Sequence, residues 1–320
     1  MRKWIAVVLA CLLLSGCAST ASQNNTGQDY TPHKLEISQD NLIRDESVDS
    51  LLIAAVSYDE NGDSVITSVN VLARTAEGEI NILTLPRDTR VWVEHYDSDG
   101  AYEYTAYGAI SSVYHNAESA GLGENKLVDA AESVLGVRVE HYMLLNTVQL
   151  KNLALLLDNV TVTVEDAIPL YGIIPGNQDR TPHIEGYASY SYLRDDTGVA
   201  IDGTDPYKLQ RHQQLIRAFM VGFAEKTFTM TEDSALQVAQ KAVEAVRTDM
   251  TAEQMLAWIH PEEMKIQTME ILKGWNYETS RFYYWIADEN TAKAWTIEHF
   301  FGGEQDTEDA EIDTQTAVTK

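Results

Sequence analysis

Strand-like and helix-like segments alternate along the middle of this 320-residue chain, and the alternation limits the possible folds more than any other feature. The run SLLIAAVSYD and the two runs around Glu77-Gly78-Glu79 are apolar and β-branched, as buried strands are. NKLVDAAESVLG spaces its apolar residues as a helix does and ends at Gly136. TVQLKNLALLLD predicts a second helix, capped by Thr147. Interleaved strands and helices predict an α/β layered sandwich.

The alternation continues into the C-terminal third of the chain. Pro206 stands at the first position of a predicted helix, with Asp205 as its N-cap. Further helices are predicted near residues 231–246, 251–258 and 290–301, with a Trp- and Tyr-rich segment before the last of them. This region is short and aromatic, so we expect it to pack onto the same sheet rather than to form a separate domain.

The two ends of the chain predict targeting and linker segments. Residues 1–16 hold two basic residues and a short apolar run, as secretory signals do. They lead into Cys17 through Leu-Ser-Gly, which resembles the bacterial lipobox, in which the cysteine is acylated; an ordinary signal cleaved nearby is the alternative. Residues 17–45 predict a flexible tether, residues 46–302 one domain, and the acidic residues 303–320 a disordered tail.

Charge and cysteine content exclude several classes of function. The formal net charge of −26 argues against nucleic-acid binding and against electrostatic adhesion to anionic lipids. Attachment to the membrane would therefore rest on acyl chains at Cys17. The only other cysteine, Cys11, lies inside the predicted signal, so a processed chain has no disulfide and no cysteine-based metal site or nucleophile.

The run INILTLPRDTRVWV, residues 80–93, predicts a buried strand that Pro86 ends. Arg87 and Asp88 follow at the strand's end, where open α/β sheets form ligand crevices. The same two residues could equally form an ion pair on the surface. These residues alone leave both interpretations open.

Three motifs in order resemble one family. LTLPRDTRV resembles the strand and PRDT signature of the LytR-CpsA-Psr (LCP) proteins of the bacterial cell envelope. The segment from LVDAAESVLG to NVTVTVEDAI follows that family's helix–strand–helix–strand order. YASYSYLRDD and TDPYKLQRHQQLIRAF resemble its closing motif, an Arg followed by D-x-x-[RK]-x-x-R-x-Q at a helix start. The resemblance covers about residues 48–225, with a weaker continuation to 302.

The resemblance implies a fold and an activity. It implies a three-layer αβα sandwich with a central mixed β-sheet, on the outer face of the bacterial cell membrane. Such proteins bind a polyprenyl-pyrophosphate lipid, hold its tail in an apolar tunnel, and transfer the attached glycopolymer to peptidoglycan. Mg²⁺ on the pyrophosphate is the typical cofactor. The older family label is cell envelope-related transcriptional attenuator.

The matching positions supply a predicted phosphate site. Arginine suits a pyrophosphate because its planar fork binds two oxygens at once, and the first turns of a helix also favour an anion. The alternatives are pairing of Arg87 with Asp88, pairing of Arg194 with a neighbouring aspartate, and simple solvation of the charged side of the last helix. Asp88 is the candidate catalytic carboxylate. The predicted phosphate-binding residues are Arg87, Arg194, Asp205, Lys208, Arg211 and Gln213.

Other positions depart from the family pattern. Ser57 stands where the family has an Asp after the first strand, and Ser64 and Ile66 stand in the motif that supplies a metal-binding Asp. Mg²⁺ is held by carboxylates together with substrate phosphates, so the expected metal site looks lost unless Asp59 and Asp63 replace it. Family Lys, Arg and Gln positions are occupied here by Ala109, Asp196 and His212.

Three functional hypotheses follow from these matches and departures. The chain is a glycopolymer–peptidoglycan transferase with a rearranged metal site. Alternatively, it is a catalytically degenerate member that binds a lipid-linked phosphate or a cell-wall partner without chemistry. The third hypothesis is a lipoprotein scaffold with no ligand. It requires that the four cationic side chains do not come together in one site; these are Arg87, Arg194, Lys208 and Arg211.

Overall fold

The computed structural model describes residues 30–37, 44–58, 61–158, 160–161, 183–184, 206–259 and 264–301. The described strands are β1 (Asp49–Tyr58), β2 (Ser64–Arg74), β3 (Glu79–Leu85), β4 (Arg90–Tyr96), β5 (Tyr102–Ala109), β6 (His141–Leu145), β7 (Val160–Thr161), β8 (His183–Ile184), β9 (Arg247–Thr248), β10 (Lys265–Ile271), β11 (Gly274–Glu278) and β12 (Tyr283–Ala287). The described helices are α1 (Ile110–Glu118), α2 (Gly123–Leu135), α3 (Thr147–Leu156), α4 (Pro206–Phe228), α5 (Glu232–Ala245), α6 (Ala252–Trp258) and α7 (Glu289–Phe300).

The central sheet is mixed and has six strands in the order β10-β3-β2-β1-β6-β9. β1 pairs in parallel with β6 and antiparallel with β2, and β3 pairs in parallel with β10. Four strands, β1, β3, β6 and β10, therefore run in one direction, and their carboxyl ends share one edge of the sheet. This edge is called the carboxyl edge below.

Helices cover both faces of this sheet. On one face Leu52 and Leu83 join a buried cluster with α1, α2 and α7, to which Leu127 and Trp295 belong. On the other face Leu51 and the neighbouring strands meet α3, α4, α5 and α6 in a second cluster. Alternate residues of β1 thus enter different cores, as the two-residue period of a strand dictates. The arrangement is a three-layer αβα sandwich, and the predicted fold class is confirmed.

Helix boundaries follow local capping chemistry. The N-cap of α3 is Asn146, whose side chain accepts from the amide of Gln149 while the Gln149 side chain accepts from the amide of Asn146. The prediction of Thr147 as the cap was therefore wrong by one residue, because Asn146 supplies the better-placed acceptor. α2 ends at Gly136 as predicted, with the positive φ of 69° that a left-handed cap requires.

The C-terminal region packs against the rest of the chain in two ways. β10 joins the central sheet beside β3, and α7 belongs to the same buried cluster as β1 and β2. β11 and β12 form a separate two-stranded sheet. A backbone bond from Trp285 to the carbonyl of Asp88, with N and O 2.8 Å apart, ties that sheet to the start of β4.

Candidate functional site

A cavity of about 610 Å³ lies between the central sheet and helices α3 to α6. Its walls are mostly apolar, and four of its lining residues are methionines, whose unbranched side chains adapt to irregular ligands. This size and lining suit a flexible hydrocarbon chain. The apolar wall includes Leu51, Ile53, Met143, Leu150, Leu153, Leu215, Phe219, Met220, Phe223, Ala242, Met250, Met255 and Trp258.

One end of the cavity is polar, and the sheet topology explains why. Because β1, β3 and β6 are parallel, Ser57, Arg87 and Asn146 arrive together at the carboxyl edge. Lys208 and His212 approach from the first turns of α4. These five residues line the cavity and are called the polar end. Arg87 keeps 31% of its side chain exposed, so solvent reaches this end.

A β-turn presents Arg87 at the polar end. The amide of Thr89 donates to the carbonyl of Pro86 at 2.9 Å, and the Thr89 hydroxyl donates to the same oxygen at 2.6 Å. Arg87 and Asp88 are the two central residues of this turn, a geometry that Pro86 and the hydroxyl of Thr89 fix. The PRDT sequence is thus a turn that projects an arginine from the end of a core strand.

Arg87 and Asp88 also form the ion pair that was the alternative interpretation. Arg87 Nε lies 3.8 Å from Asp88 Oδ1, which is beyond hydrogen-bonding distance. Within the described part of the chain, Arg87 Nε has no hydrogen-bond acceptor. At this distance Asp88 attracts the guanidinium without accepting a hydrogen bond from Nε. The Nε–H group of Arg87 is therefore able to donate to a bound anion.

Helix α4 carries two more of the predicted cationic residues, Lys208 and Arg211. Lys208 is buried and lines the cavity, and Arg211 is fully buried at 0% exposure. The alternative that these two residues are the solvated side of the helix is therefore wrong. Arg211 is not among the described residues that line the cavity, so of the two only Lys208 meets Arg87 there.

Gln213 is predicted as a phosphate ligand, but its side chain is used elsewhere. Its Nε2 donates to the main-chain carbonyl of Glu270 near the end of β10. It is buried and does not belong to the described cavity lining. Gln213 fixes the start of α4 against the carboxyl edge, and through this bond it positions Lys208 and His212.

Sequence reasoning missed a buried polar group in the cavity wall. The hydroxyl of Thr84 donates to Asn70 Oδ1 at 2.6 Å, and Asn70 Nδ2 donates to the hydroxyl of Ser68 at 2.7 Å. Ser68 and Asn70 line the cavity. The signal was present in SVITSVNV, where two polar residues two positions apart interrupt an apolar strand and so share one face. His212 was treated only as a departure from the family pattern, yet it lines the polar end.

Several predicted residues lie outside the described residues: Cys17, Asp59, Arg194 and Asp205. Asp63 is described and exposed. Nothing further about these positions enters the geometry of the site.

The described residues do not fit a Mg²⁺ site. Ser57 lines the polar end, Ser64 is buried with its hydroxyl donating to Glu118 Oε2 at 2.7 Å, and Ile66 is buried in the opposite core. Among the residues that the structure describes, no three His, Cys, Asp or Glu side chains gather where they could hold a metal ion. Mg²⁺ needs carboxylate oxygens, and hydroxyl and aliphatic groups do not replace them.

The three-layer sandwich thus encloses an apolar cavity with Arg87 and Lys208 in its lining. A profile of the LytR_cpsA_psr family matches residues 20–299, and the chain belongs to that family. The family is extracytoplasmic and associated with the cell envelope. A search of curated proteins finds no match. None of the helices in the described ranges combines the length and apolar content needed to cross a bilayer.

Solved structures share this fold at low sequence identity. Bacillus subtilis TagV matches with a TM-score of 0.60 and 19% identity, over 80% of this chain and 98% of TagV. TagT bound to LIIa-WTA matches with a TM-score of 0.56 and 16% identity, over 79% of this chain and 89% of TagT. B. subtilis TagU matches with a TM-score of 0.54 and 20% identity, over 79% of this chain and 95% of TagU. At these identities the likeness is one of fold.

Proposed function

We propose that this protein binds a polyprenyl-(pyro)phosphate-linked cell-wall glycopolymer, with the lipid chain in the cavity and the phosphate at the polar end. The observation that carries the proposal is the position of Arg87, which stands on its turn at the polar end of a mostly apolar cavity. An apolar wall favours the hydrocarbon, and an arginine fork favours a phosphate. The lipid-linked polymer in one TagT structure, LIIa-WTA, is a ligand of this kind.

The acceptor in the proposed reaction is peptidoglycan, and the setting is the outer face of the bacterial membrane. The anchor is an acylated Cys17, followed by a tether over residues 17–45 and a domain over 46–302. Arg194, Arg211 and Asp205 remain proposed phosphate-site residues beside Arg87 and Lys208. Asp88 is the proposed catalytic carboxylate, because its Oδ1 lies 3.8 Å from Nε of Arg87, which lines the polar end.

A second candidate is binding of the same ligand without transfer. The observation that favours it is the serine at position 57 and the isoleucine at position 66, where the family resemblance calls for carboxylates. In phosphoryl transfer, a metal and nearby cations neutralise the developing charge, so a site without carboxylates loses a large part of its catalytic effect. Transfer would then be slow or absent while ligand binding persists.

The test is binding of a polyprenyl phosphate to the purified protein, with and without EDTA, alongside a transfer assay with peptidoglycan. Each charge-assisted contact contributes about 1.5–3 kcal/mol, so Arg87→Ala should weaken binding about 10- to 100-fold. The exposed Lys151, on the same helical layer, gives the matched control Lys151→Ala, which should bind as the wild type does. Undiminished binding by Arg87→Ala would remove the phosphate site.

The two candidates separate on metal and on transfer. EDTA-insensitive binding without transfer supports the binding protein. EDTA-sensitive binding with measurable transfer supports the enzyme, and Asp88→Asn should then reduce transfer while leaving binding intact.

A further inference from the structure

Exposed aromatic side chains gather on the two short sheets beside the polar end. Trp92 on β4 is 47% exposed and packs against Tyr107 on β5, with ring centroids 4.0 Å apart. Phe282, just before β12, is 59% exposed and lies against Tyr284, with centroids 6.1 Å apart. Soluble proteins seldom expose such a group without using it for recognition.

Arg90 joins the two sheets into one surface. Its guanidinium carbon lies 4.7 Å from the ring centroid of Tyr107, 5.0 Å from that of Tyr277 and 5.2 Å from that of Tyr284. Arg90 is buried, so these cation–π contacts form away from bulk water, where they are stronger. The resulting surface, here called the aromatic face, consists of the exposed Trp92 and Phe282 with the partly buried Tyr107 and Tyr277 and the buried Tyr284.

The aromatic face and the polar end are joined by the backbone of one turn. Arg87 projects to the cavity and Arg90, three residues later, lies under the aromatic face. Thr89 forms a β-bridge with Trp285, and the amide of Trp285 donates to the carbonyl of Asp88 at 2.8 Å. The backbone from Arg87 to Arg90 thus connects the polar end directly to the aromatic face.

The negative charge of the β4–β5 hairpin and of the whole chain limits the classes of ligand that the aromatic face can bind. The β4–β5 hairpin carries four carboxylates, and the whole chain has a formal net charge of −26. An anionic bilayer or a polyphosphate chain would be repelled. A pyranose chain meets no such penalty, because its C–H faces stack on aromatic rings and its hydroxyls donate to carboxylates and to tyrosine oxygens. The four carboxylates belong to Glu94, Asp97, Asp99 and Glu103.

We infer that the aromatic face binds the glycan strand of the acceptor polymer and delivers it to the turn that holds Arg87. This inference rests on the proposed function, since it supplies the second substrate of the same site. In a transfer reaction the acceptor hydroxyl must approach the phosphate directly. A docking surface next to the turn that holds Arg87 would keep the acceptor close to the phosphate and oriented toward it.

The test measures retention of the full-length protein on insoluble peptidoglycan stripped of teichoic acids, together with binding of the uncharged oligosaccharide chitohexaose. Trp92→Ala and Phe282→Ala should each weaken both about tenfold, which is what one stacked ring typically contributes to binding. Val91 and Val93 hold β4 in the core from the side opposite Trp92, and the side chain of Phe282 is mostly exposed. Both variants should therefore keep the wild-type melting temperature. The matched control is Phe228→Ala, which removes a 60% exposed ring at the far end of α4.

Separate readouts distinguish this inference from the proposed function. Polyprenyl phosphate binding should be unchanged in Trp92→Ala and Phe282→Ala. Failure of the wild type to bind polyprenyl phosphate would count against the proposed function, while the oligosaccharide titration would still report on the aromatic face. Wild-type affinity for both glycans in the two variants overturns the inference. So does a wild type that binds neither glycan, or a loss in the two variants of binding to phosphatidylcholine vesicles alone.

Discussion

Gln213 donates a side-chain hydrogen bond to the main-chain carbonyl of Glu270, and this bond joins helix α4 to the last strand of the central sheet. Both residues lie at the carboxyl edge, and Gln213 follows His212 directly and stands five residues after Lys208 in α4. The bond therefore determines how far the first turns of α4 reach over the cavity.

Replacing Gln213 should affect both stability and ligand binding. In Gln213→Ala the main-chain carbonyl of Glu270 loses this part-buried hydrogen bond, which costs about 0.5–1.5 kcal/mol of unfolding free energy. Denaturant unfolding measures this cost, and polyprenyl phosphate binding should weaken in the same variant because Lys208 is no longer held. Arg217→Ala, at an exposed position of the same helix, should change neither property. A Gln213→Ala protein of wild-type stability would show that the bond does not hold the helix.

Filling the cavity should separate lipid binding from phosphate binding. Ala242 lines the cavity from α5, so Ala242→Phe places a ring where the hydrocarbon is expected to lie. We expect polyprenyl phosphate affinity to fall about tenfold or more, while affinity for inorganic pyrophosphate stays as in the wild type. Glu244→Phe adds the same ring at an exposed position of the same helix and is the control. Equal loss of both ligands would place the phosphate inside the apolar part of the cavity.

The buried His299 should make stability depend on pH. Burial lowers the pKa of His299, and the charges of Glu298 and Glu270 oppose that shift only in part. The unfolded chain therefore binds a proton more readily than the folded one, and stability falls as pH drops through the unfolded pKa of about 6.5. Compared with His299→Gln, the wild type should lose more of its melting temperature between about pH 8 and about pH 5. A constant difference between the two proteins across that range would contradict the shift.

The anchor has its own test. If Cys17 is acylated, the protein should sediment with membranes and remain there at high salt, because acyl burial is not screened by ions. Cys17→Ser should release the protein or leave the signal uncut, and mass spectrometry of the N-terminus gives the direct readout. A soluble extracellular wild type without lipid would end this proposal.

The sequence carried enough local information to predict the layers of the fold but not every element. Periodicity identified β1, β2, β3, α2 and α5, because each buries one side or one stripe in a core. It missed the β4–β5 hairpin, although Asp99-Gly100 is a recognised turn pair with Gly100 at a φ of 80°. The alternation was hidden because tyrosines on the exposed side of β5 look as apolar as a buried face.

The site was harder to predict than the fold, for a physical reason. Arg87 was found because a proline turn at the end of a core strand is a local signal. The different contacts of Lys208, Arg211 and Gln213 were not predicted. They depend on which side of helix α4 faces the cavity and which side faces β10. The orientation of the helix is determined only when it packs against the sheet, and the spacing of the motif residues does not specify it.

The methionine-rich lining of the cavity has a consequence for which lipids the protein can accept. Most of the cavity lining belongs to the core on one face of the sheet, and Ala54 and Val56 alone among the described lining residues belong to the opposite core with α1, α2 and α7. Met143, Met220, Met250 and Met255 can change rotamer to follow a kinked or saturated chain, and the sheet keeps such changes from reaching the other layer. For the proposed ligand, we therefore expect selectivity at its head, while isoprenoid length and double-bond geometry are free to vary.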